Sequence, residues 1–339
     1  MATYFVTGGS GFVGRHLCRR LAADGHSLRC AVRKRSQTAH LQEIGAELVK
    51  VDLAEGGELT SAMEGCDAIF HSAGLISGMS RQQLFDVNRD GTRLVGEAVA
   101  ALADPPPLIY VSSIAAAGPA KKDSRRRPDE FPKPVSGYGE SKRAGERQLE
   151  TLADRVPITI VRPGIIFGAE NRDLFPMFRS INRFGIHAMP RADLKLSVIY
   201  IDDLIEQLVQ ALAQGKRITH RPDPQDKFDG VGYYFSSDPV QPTYLELGQM
   251  VADAVGVKRL RPITTPRPLL WTVATLSEWF GRAIRKPNIL SLDKIREAVA
   301  GDWTCDITSA QEELGFQTKQ PLAESFRETG QWYRENGWL

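Results

Sequence analysis

Short apolar runs alternate with longer amphipathic stretches over the first half of this chain. "TYFVTGG" at 3–9 is an apolar run ending in glycine, and "GRHLCRRLAADG" at 14–25 carries the helical period and is stopped by Gly25. "SLRCAVR" at 27–33, "AELVKVDL" at 46–53, "CDAIFHSAG" at 66–74, "PLIYVSS" at 107–113 and "PITIVRPGIIFG" at 157–168 have the short apolar form of buried strands. Helical patterns fill the spaces, among them 81–103 and the stretch opened by "SGYGESK" at 136–142. Strands separated by helices of this length predict an α/β fold, a doubly wound parallel sheet covered on both faces. The pattern places that doubly wound core in residues 1–168, with later segments able to return to it.

The rhythm changes in residues 169–339. "IDDLIEQLVQALAQG" at 201–215 and "TYLELGQMVADAVG" at 243–256 read as helices, Pro-rich turns come between, and "YYFSS" at 233–237 reads as a short strand. This half is expected to form a smaller, mixed substrate-binding part. Within it, "RPLLWTVATLSEWFGRAI" at 267–284 carries Leu269, Leu270, Trp271, Val273, Leu276, Trp279 and Phe280 on a broad apolar face. Core or dimer packing is the first reading of that face; a wall or lid over a lipophilic substrate, or peripheral contact with a membrane surface, are the others.

Composition adds exclusions. With 42% hydrophobic and 25% charged residues in 339, the chain is of ordinary globular make-up. A net charge of +2 offers no global field for nucleic acid. No window reaches the roughly 18 apolar residues of a spanning helix. The run Lys121, Lys122, Arg125, Arg126, Arg127 reads as a solvated loop face. Four cysteines, Cys18, Cys30, Cys66 and Cys305, have no paired spacing, so neither a metal centre nor a disulfide framework is expected, and a cytoplasmic location fits.

Candidate chemistry begins at "VTGGSGFVG". Gly8, Gly11 and Gly14 fall between the first strand and the first helix, where glycine lets the backbone turn and approach a pyrophosphate at a helix N-terminus. The basic residues Arg33, Lys34 and Arg35 follow the second strand, where an acid would select NAD; an arginine there suits the 2′-phosphate of NADP instead. NADP(H) is therefore the expected cofactor, with NAD the alternative. Asp52, ending the third strand, can accept a hydrogen bond from the adenine amino group. Tyr138 and Lys142 lie four apart and share one helix face. A free tyrosine ionises near pH ~10, and a neighbouring ammonium brings that down toward working pH. Asp202 and Asp203 read as a helix cap and a first-turn acid, and His71 as a strand-end residue beside the cofactor. His187 and His220 read as loop residues.

These motifs carry a resemblance. "TGGSGFVG", "VDL" at 51–53, "HSAG" at 71–74, "VNRDGT" at 87–92, "YVSS" at 110–113, "YGESK" at 138–142, "VRPGIIFG" at 161–168, "YIDDL" at 200–204 and "SAQEELGF" at 309–316 make the chain similar to the extended short-chain dehydrogenase/reductases over nearly its whole length. The resemblance implies that Gly8, Gly11 and Gly14 line the pyrophosphate with Ser10, Phe12 and Val13 nearby. It places Asp52 and Leu53 on the adenine side, and Ser72, Ala73 and Gly74 on the ribose and nicotinamide side. Pro163 and Ile165 would lie against the nicotinamide. Ser113, Tyr138 and Lys142 would be the catalytic trio, with Ser113 polarising the substrate oxygen, Lys142 also gripping the nicotinamide ribose, and Asn88 ordering a proton relay. A homodimer through the helices at 81–103 and 138–154 is implied as well.

Within that family the chain looks closer to the 3β-hydroxysteroid dehydrogenase and dihydroflavonol reductase branches. Ile114 and Ala115 stand where dehydratases carry an Asp-Glu pair. "ADLKLSVIYIDDL" has Leu194, Leu196 and Val198 where sugar-nucleotide epimerases often carry an arginine, with Lys195 its one basic residue. The leading expectation is an NADP(H)-dependent enzyme that interconverts a ketone and a secondary alcohol on a hydrophobic small molecule. A nucleotide-sugar 4-epimerase and a non-catalytic dinucleotide sensor stand beside it.

Overall fold

In the computed structural model, the described residues are 1–51, 58–78, 80–266, 268, 271–272, 275 and 292–339. Asp52, Leu53 and most of the 267–284 segment lie outside them.

The strands of the central sheet are β1 (Thr3–Thr7), β2 (Ser27–Val32), β3 (Glu47–Lys50), β4 (Ala68–His71), β5 (Leu108–Val111), β6 (Ile158–Pro163) and, later in the chain, β10 (Tyr233–Ser236). They form one seven-stranded sheet in the order β10-β6-β5-β4-β1-β2-β3, and every pairing is parallel. The chain winds outward from β1 through β2 to β3, then crosses back to β4 and winds the other way. The switch point therefore lies between the C-terminal ends of β1 and β4, where Thr7 is level with His71.

Alternation along these strands sends consecutive side chains to opposite faces. Val6, Cys30, Phe70, Ile109 and Val161 join one buried cluster, and Phe5, Ala31, Ile69, Tyr110 and Ile160 join the other. That two-sided burial is why the strands read as continuous apolar runs.

The strand-like "YYFSS" does not stay with the C-terminal part: as β10 it pairs with β6 and extends the central sheet. Two small parallel pairs lie outside the sheet. One joins β7 (Ile165–Phe167) to β9 (Val198–Tyr200), the other β8 (Ile186–Met189) to β11 (Arg261–Thr264). His187 is thus a strand residue, buried with its Nε2 2.9 Å from the Tyr244 carbonyl, and not a loop residue. Arg126 also departs from expectation. Its neighbours are exposed, but it is buried and donates to Glu130 at 2.9 Å and to the Phe131 carbonyl. The helical pattern over 81–103 forms as Arg81–Phe85 and Gly91–Ala100 with a π-helical turn, Asp86–Asp90, between them. That turn holds Asn88.

The helix Gly137–Glu150 is capped by Ser136, whose Oγ accepts the Gly139 N–H at 3.0 Å. It packs closely on the preceding helical layer, because a Cβ on Gly145 would stand 2.3 Å from the Asn88 carbonyl oxygen. Its inner face is unusually polar. Glu146, fully buried, accepts from Arg162 Nε at 2.8 Å and Nη2 at 2.7 Å, from Arg143 at 3.0 Å and from the Ser112 hydroxyl at 2.6 Å. Burial opposes ionisation of this carboxyl, yet Arg162, Arg143 and Ser112 hold its pKa below the ordinary value. One turn on, buried Glu150 accepts from Arg221 at 2.9 Å and from the Tyr233 hydroxyl of β10 at 2.5 Å.

Removing one partner of such a buried pair leaves the other charge uncompensated, which costs about 3–5 kcal/mol. Glu146→Ala is therefore expected to lower unfolding stability in urea by that amount. A variant within about 1 kcal/mol of wild type would show that Arg162 does not depend on it.

Candidate active site

Three backbone segments meet at the switch point. β1 ends at Thr7 and turns at Gly8, which has φ +75°, the left-handed region open to glycine. The Gly11 N–H then donates to the Gly8 carbonyl at 2.8 Å. A Cβ on Gly14 would lie 2.1 Å from the Gly8 oxygen, and one on Gly8 would lie 2.6 Å from the Ala73 nitrogen. The loop is thus a cradle that side chains would fill. The helix Phe12–Ala23 begins at Gly11 without a side-chain cap, so the N–H groups of Phe12, Val13 and Gly14 face out with the positive end of the helix dipole. A backbone of this shape fits a dinucleotide pyrophosphate. Ser10 lies half-buried within the loop, and His40 braces it from beneath with Nε2 3.0 Å from the Gly9 carbonyl.

The 72–74 segment closes one side. Ser72 Oγ donates to the Thr7 carbonyl at 2.8 Å, and the Ala73 N–H to Thr7 Oγ1 at 3.3 Å. Gly74 packs tightly here, since a Cβ on it would lie 3.1 Å from Asn88 Oδ1 and 3.5 Å from Lys142 Nζ. Arg33 comes directly after β2, next to the glycine-loop strand. Arg33, Lys34 and Arg35 are exposed and make no ion pair among the described residues. Pro163 ends β6 and Ile165 begins β7 on the far side of the crevice.

Ser113 follows β5 and caps the short helix Ile114–Ala117, its Oγ accepting the Ala115 N–H at 3.1 Å. The Ser113 hydroxyl lies near the Tyr138 phenol and acts to lower its pKa. Burial raises the pKa of the Tyr138 phenol; the Ser113 hydroxyl and the Lys294 ammonium oppose that rise, while Glu297 and Asp173 add to it.

Lys142 lies one helical turn further in. Its Nζ donates to the Val111 carbonyl at 2.8 Å and sits 4.4 Å from the centroid of the Tyr110 ring. Burial pushes its pKa down to about 7, against the attraction of Glu146. Asn88 is fully buried: Oδ1 accepts the Leu75 N–H at 2.8 Å, and Nδ2 donates to the Leu75 carbonyl at 2.8 Å and to Ser141 Oγ at 2.9 Å. In this arrangement it ties the 72–75 segment to the helix of Tyr138. His71 ends β4 with Nδ1 2.6 Å from Thr7 Oγ1 and Nε2 2.9 Å from Thr92 Oγ1, and burial holds its pKa down to about 3.

The structure thus brings the glycine loop, Ser72–Gly74, Asn88, Ser113, Tyr138, Lys142 and Pro163 to the C-terminal edge of one sheet. The acids at 202 and 203 stand apart from that group. Tyr200, not Asp202, is the N-cap position of the helix Ile201–Gln214, and both aspartates lie in its first turn. Asp203 accepts the Lys319 N–H at 3.0 Å, which ties the C-terminal segment down.

Several residues around the site escape sequence reasoning. Glu146 repeats the four-residue stride from Tyr138 to Lys142, and that stride is the available signal. Arg162 sits inside "VRPG", where no local pattern marks its buried charge. Asp293, Lys294 and Glu297 arrive from a distant helix, and nothing nearby in sequence points to them.

Comparison with known proteins agrees with this geometry. The sequence profile of the NAD dependent epimerase/dehydratase family matches residues 4–223. The chain is 30% identical to the ceramide reductase of Caulobacter vibrioides, across 98% of this chain and 95% of that protein. It is 27% identical to the 2-alkyl-3-oxoalkanoate reductase of Shewanella oneidensis, across 95% and 84%. Among solved structures, the UDP-glucose 4-epimerase of Thermotoga maritima, crystallised with UDP-glucose, superposes with a TM-score of 0.76 at 18% identity, covering 98% of this chain and 99% of that one. With the glycine cradle, the parallel sheet and the two reductase relatives in place, the chain belongs to the NAD dependent epimerase/dehydratase family of extended short-chain dehydrogenase/reductases, and it is an NAD(P)-dependent dehydrogenase/reductase.

Proposed function

We propose that the protein is an NADP(H)-dependent reductase that interconverts a ketone and a secondary alcohol on a hydrophobic substrate. The observation that carries this reading is the convergence of Ser113, Tyr138 and Lys142 beside the glycine cradle, Ser113 just after β5 and the other two on one helix packed against it. A bound nicotinamide dinucleotide supplies the hydride. The N–H groups at 12–14 and the tight backbone at Gly8 and Gly14 would hold its pyrophosphate, Arg33 its 2′-phosphate, and Ser72–Gly74, Pro163 and Ile165 its nicotinamide half. Ser113 would donate to the substrate oxygen and polarise the carbonyl. Tyr138 would give that oxygen its proton in reduction and take it back in oxidation. Lys142, with a pKa near 7, would contact the nicotinamide ribose and pass protons at neutral pH.

Hydrophobicity of the substrate rests on what surrounds the "IDDL" helix. Leu194, Leu196 and Val198 are core residues with 2%, 4% and 0% exposure. The nearby cations are occupied. Arg191 pairs with Asp193 at 2.6 Å and Asp302 at 2.7 Å, and Lys195 lies 3.5 Å from Asp123. This favours a substrate without a diphosphate, in keeping with a relative that is named for ceramide, a lipid.

Ketone-dependent oxidation of NADPH, with no turnover of UDP-hexoses, is the expected activity. Tyr138→Phe is expected to lower kcat at least ~100-fold while NADPH affinity stays near wild type; turnover close to wild type would remove the proton-donor role. Arg33→Ala is expected to weaken NADPH at least ~10-fold and leave NADH nearly unchanged, which is the effect of removing one charge-assisted hydrogen bond. Equal weakening of both cofactors in a fluorescence titration would refute the role of Arg33 at the phosphate.

A further inference from the structure

We propose that the helix Leu292–Ala300 completes the catalytic centre, with Lys294 as a positioning residue whose ammonium lies over the Tyr138 ring and meets the negative charge left on the phenol after proton donation. The inference rests on the reading of Tyr138 as the proton donor and adds a second cation to it.

Three side chains on one face of this helix reach the first turn of the Tyr138 helix. Asp293 Oδ2 accepts the Tyr138 N–H at 3.2 Å, across 155 residues of chain. Glu297 Oε1 accepts from the Ser136 hydroxyl at 2.6 Å, the same hydroxyl that caps the helix. Lys294 Nζ stands 5.2 Å from the centroid of the Tyr138 ring and 2.9 Å from Glu297 Oε2. The fit is close, since a Cβ on Gly137 would come within 2.8 Å of Asp293 Oδ2. The far end of the helix is anchored by Trp303, whose Nε1 donates to the Glu297 carbonyl at 2.8 Å.

The need for a second cation follows from the first. Lys142 is buried and directed at the Val111 carbonyl and the Tyr110 ring, and with a pKa near 7 it is only partly charged at neutral pH. Lys294 is its complement. Burial works against its charge, but Glu297, Tyr138 and Asp173 together hold its pKa above that of an ordinary lysine. Among the described residues, the charged and titratable groups that act on the phenol are Lys294 and Glu297 from this helix, Asp173 from the segment after β7 and Tyr110 from β5, while Asp293 holds the Tyr138 backbone N–H. When Tyr138 donates, its O–H bond breaks, a new O–H bond forms on the product, and the electron pair stays on the phenolate oxygen. Glu297 and Asp173 disfavour that charge, and Lys294 offsets them without making or breaking a bond.

The test is a tyrosinate absorbance titration of the full chain with NADPH bound. Wild type minus Tyr138→Phe isolates the one phenol, and the pair is repeated in a Lys294→Met background. Loss of the ammonium is expected to raise the Tyr138 midpoint by about one pH unit, a tenfold drop in phenolate fraction below it. Lys294 is partly exposed and screened, so a larger shift is not expected. In alcohol oxidation, which needs the phenolate, the rising limb of the rate profile should move to higher pH by the same amount. Lys294→Arg should return both midpoints to near wild type. A Met variant that folds normally with an unmoved midpoint overturns the proposal, even if its activity falls. A shift that arginine does not restore overturns it too, because packing rather than charge would then be the cause. If Lys294→Met does not fold, Lys294→Gln carries the same expectation and the same refutation. The two readings fail separately: near-normal turnover in Tyr138→Phe sinks the proton donor and leaves the titration shift intact, whereas an unmoved midpoint sinks the role of Lys294 alone.

Discussion

A carboxylate with no access to water must have cations around it, and Glu146 meets that demand with a paired contact from Arg162. Arg162 belongs to β6, Ser112 follows β5, and Glu146 lies one turn beyond Lys142, so this one cluster ties the Tyr138 helix to two strands. Its geometry fixes more than height above the sheet. The 2.6 Å bond from Ser112 orients the backbone that presents Ser113, and the charge of Glu146 keeps Lys142 more basic than burial alone would leave it. Positions of the hydroxyl, the phenol and the ammonium thus share a single buried anion as their reference. Such clusters cost desolvation, and their use here is consistent with a site that needs registry more than it needs stability.

The electrostatics around Tyr138 follow from placing a titratable phenol in this setting. Burial alone moves tyrosine and lysine in opposite directions, the phenol up and the amine down. Taken together those shifts would leave a neutral pair with little pull between them. The Ser113 hydroxyl and the Lys294 ammonium counter the effect on the phenol. Hydroxyl and ammonium come from different ends of the chain, one fixed by β5 and the other by a helix bonded to the cap of the Tyr138 helix. The electrostatics of the phenol are coupled in this way to docking of the C-terminal part.

Local signals make much of this legible in the amino-acid sequence. The glycine spacing, the strand-to-helix rhythm and the Tyr138–Lys142 stride each depend on a handful of adjacent residues, and each can be read from periodicity or backbone freedom. The π-helical turn at Asp86–Asp90 is not legible, and the partners of the Asn88 side chain within it, Leu75 and Ser141, lie 13 and 53 residues away. Neither is the return of "YYFSS" to the sheet: short apolar strands look alike, and two helices and three short strands separate it from its partner β6 in sequence. Arg126 reads as solvated because its neighbours are, whereas a bridge to Cys305 draws its own backbone inward. Lys294 shows the limit most clearly, since nothing within its own helix distinguishes it from any surface lysine.

Three of those illegible features, β10, Arg126 and Lys294, join later residues of the chain to its first half. The segment after β7 shows how closely the two are joined. Glu170, at a positive φ of 67°, binds Arg15 and Arg19 on the helix that opens at the glycine loop. Its neighbour Asn171 gives its carbonyl to the Tyr333 hydroxyl at 2.6 Å, and Phe167 stacks on Phe326 with centroids 4.1 Å apart. This short segment is therefore held by the glycine-loop helix on one side and the C-terminal helix Leu322–Glu335 on the other. Asp173, which acts on the phenol and on Lys294, is carried at its end. The parallel sheet supplies a fixed frame, and the C-terminal elements carry Lys294 and Glu297 to it, two of the charges that act on the Tyr138 phenol.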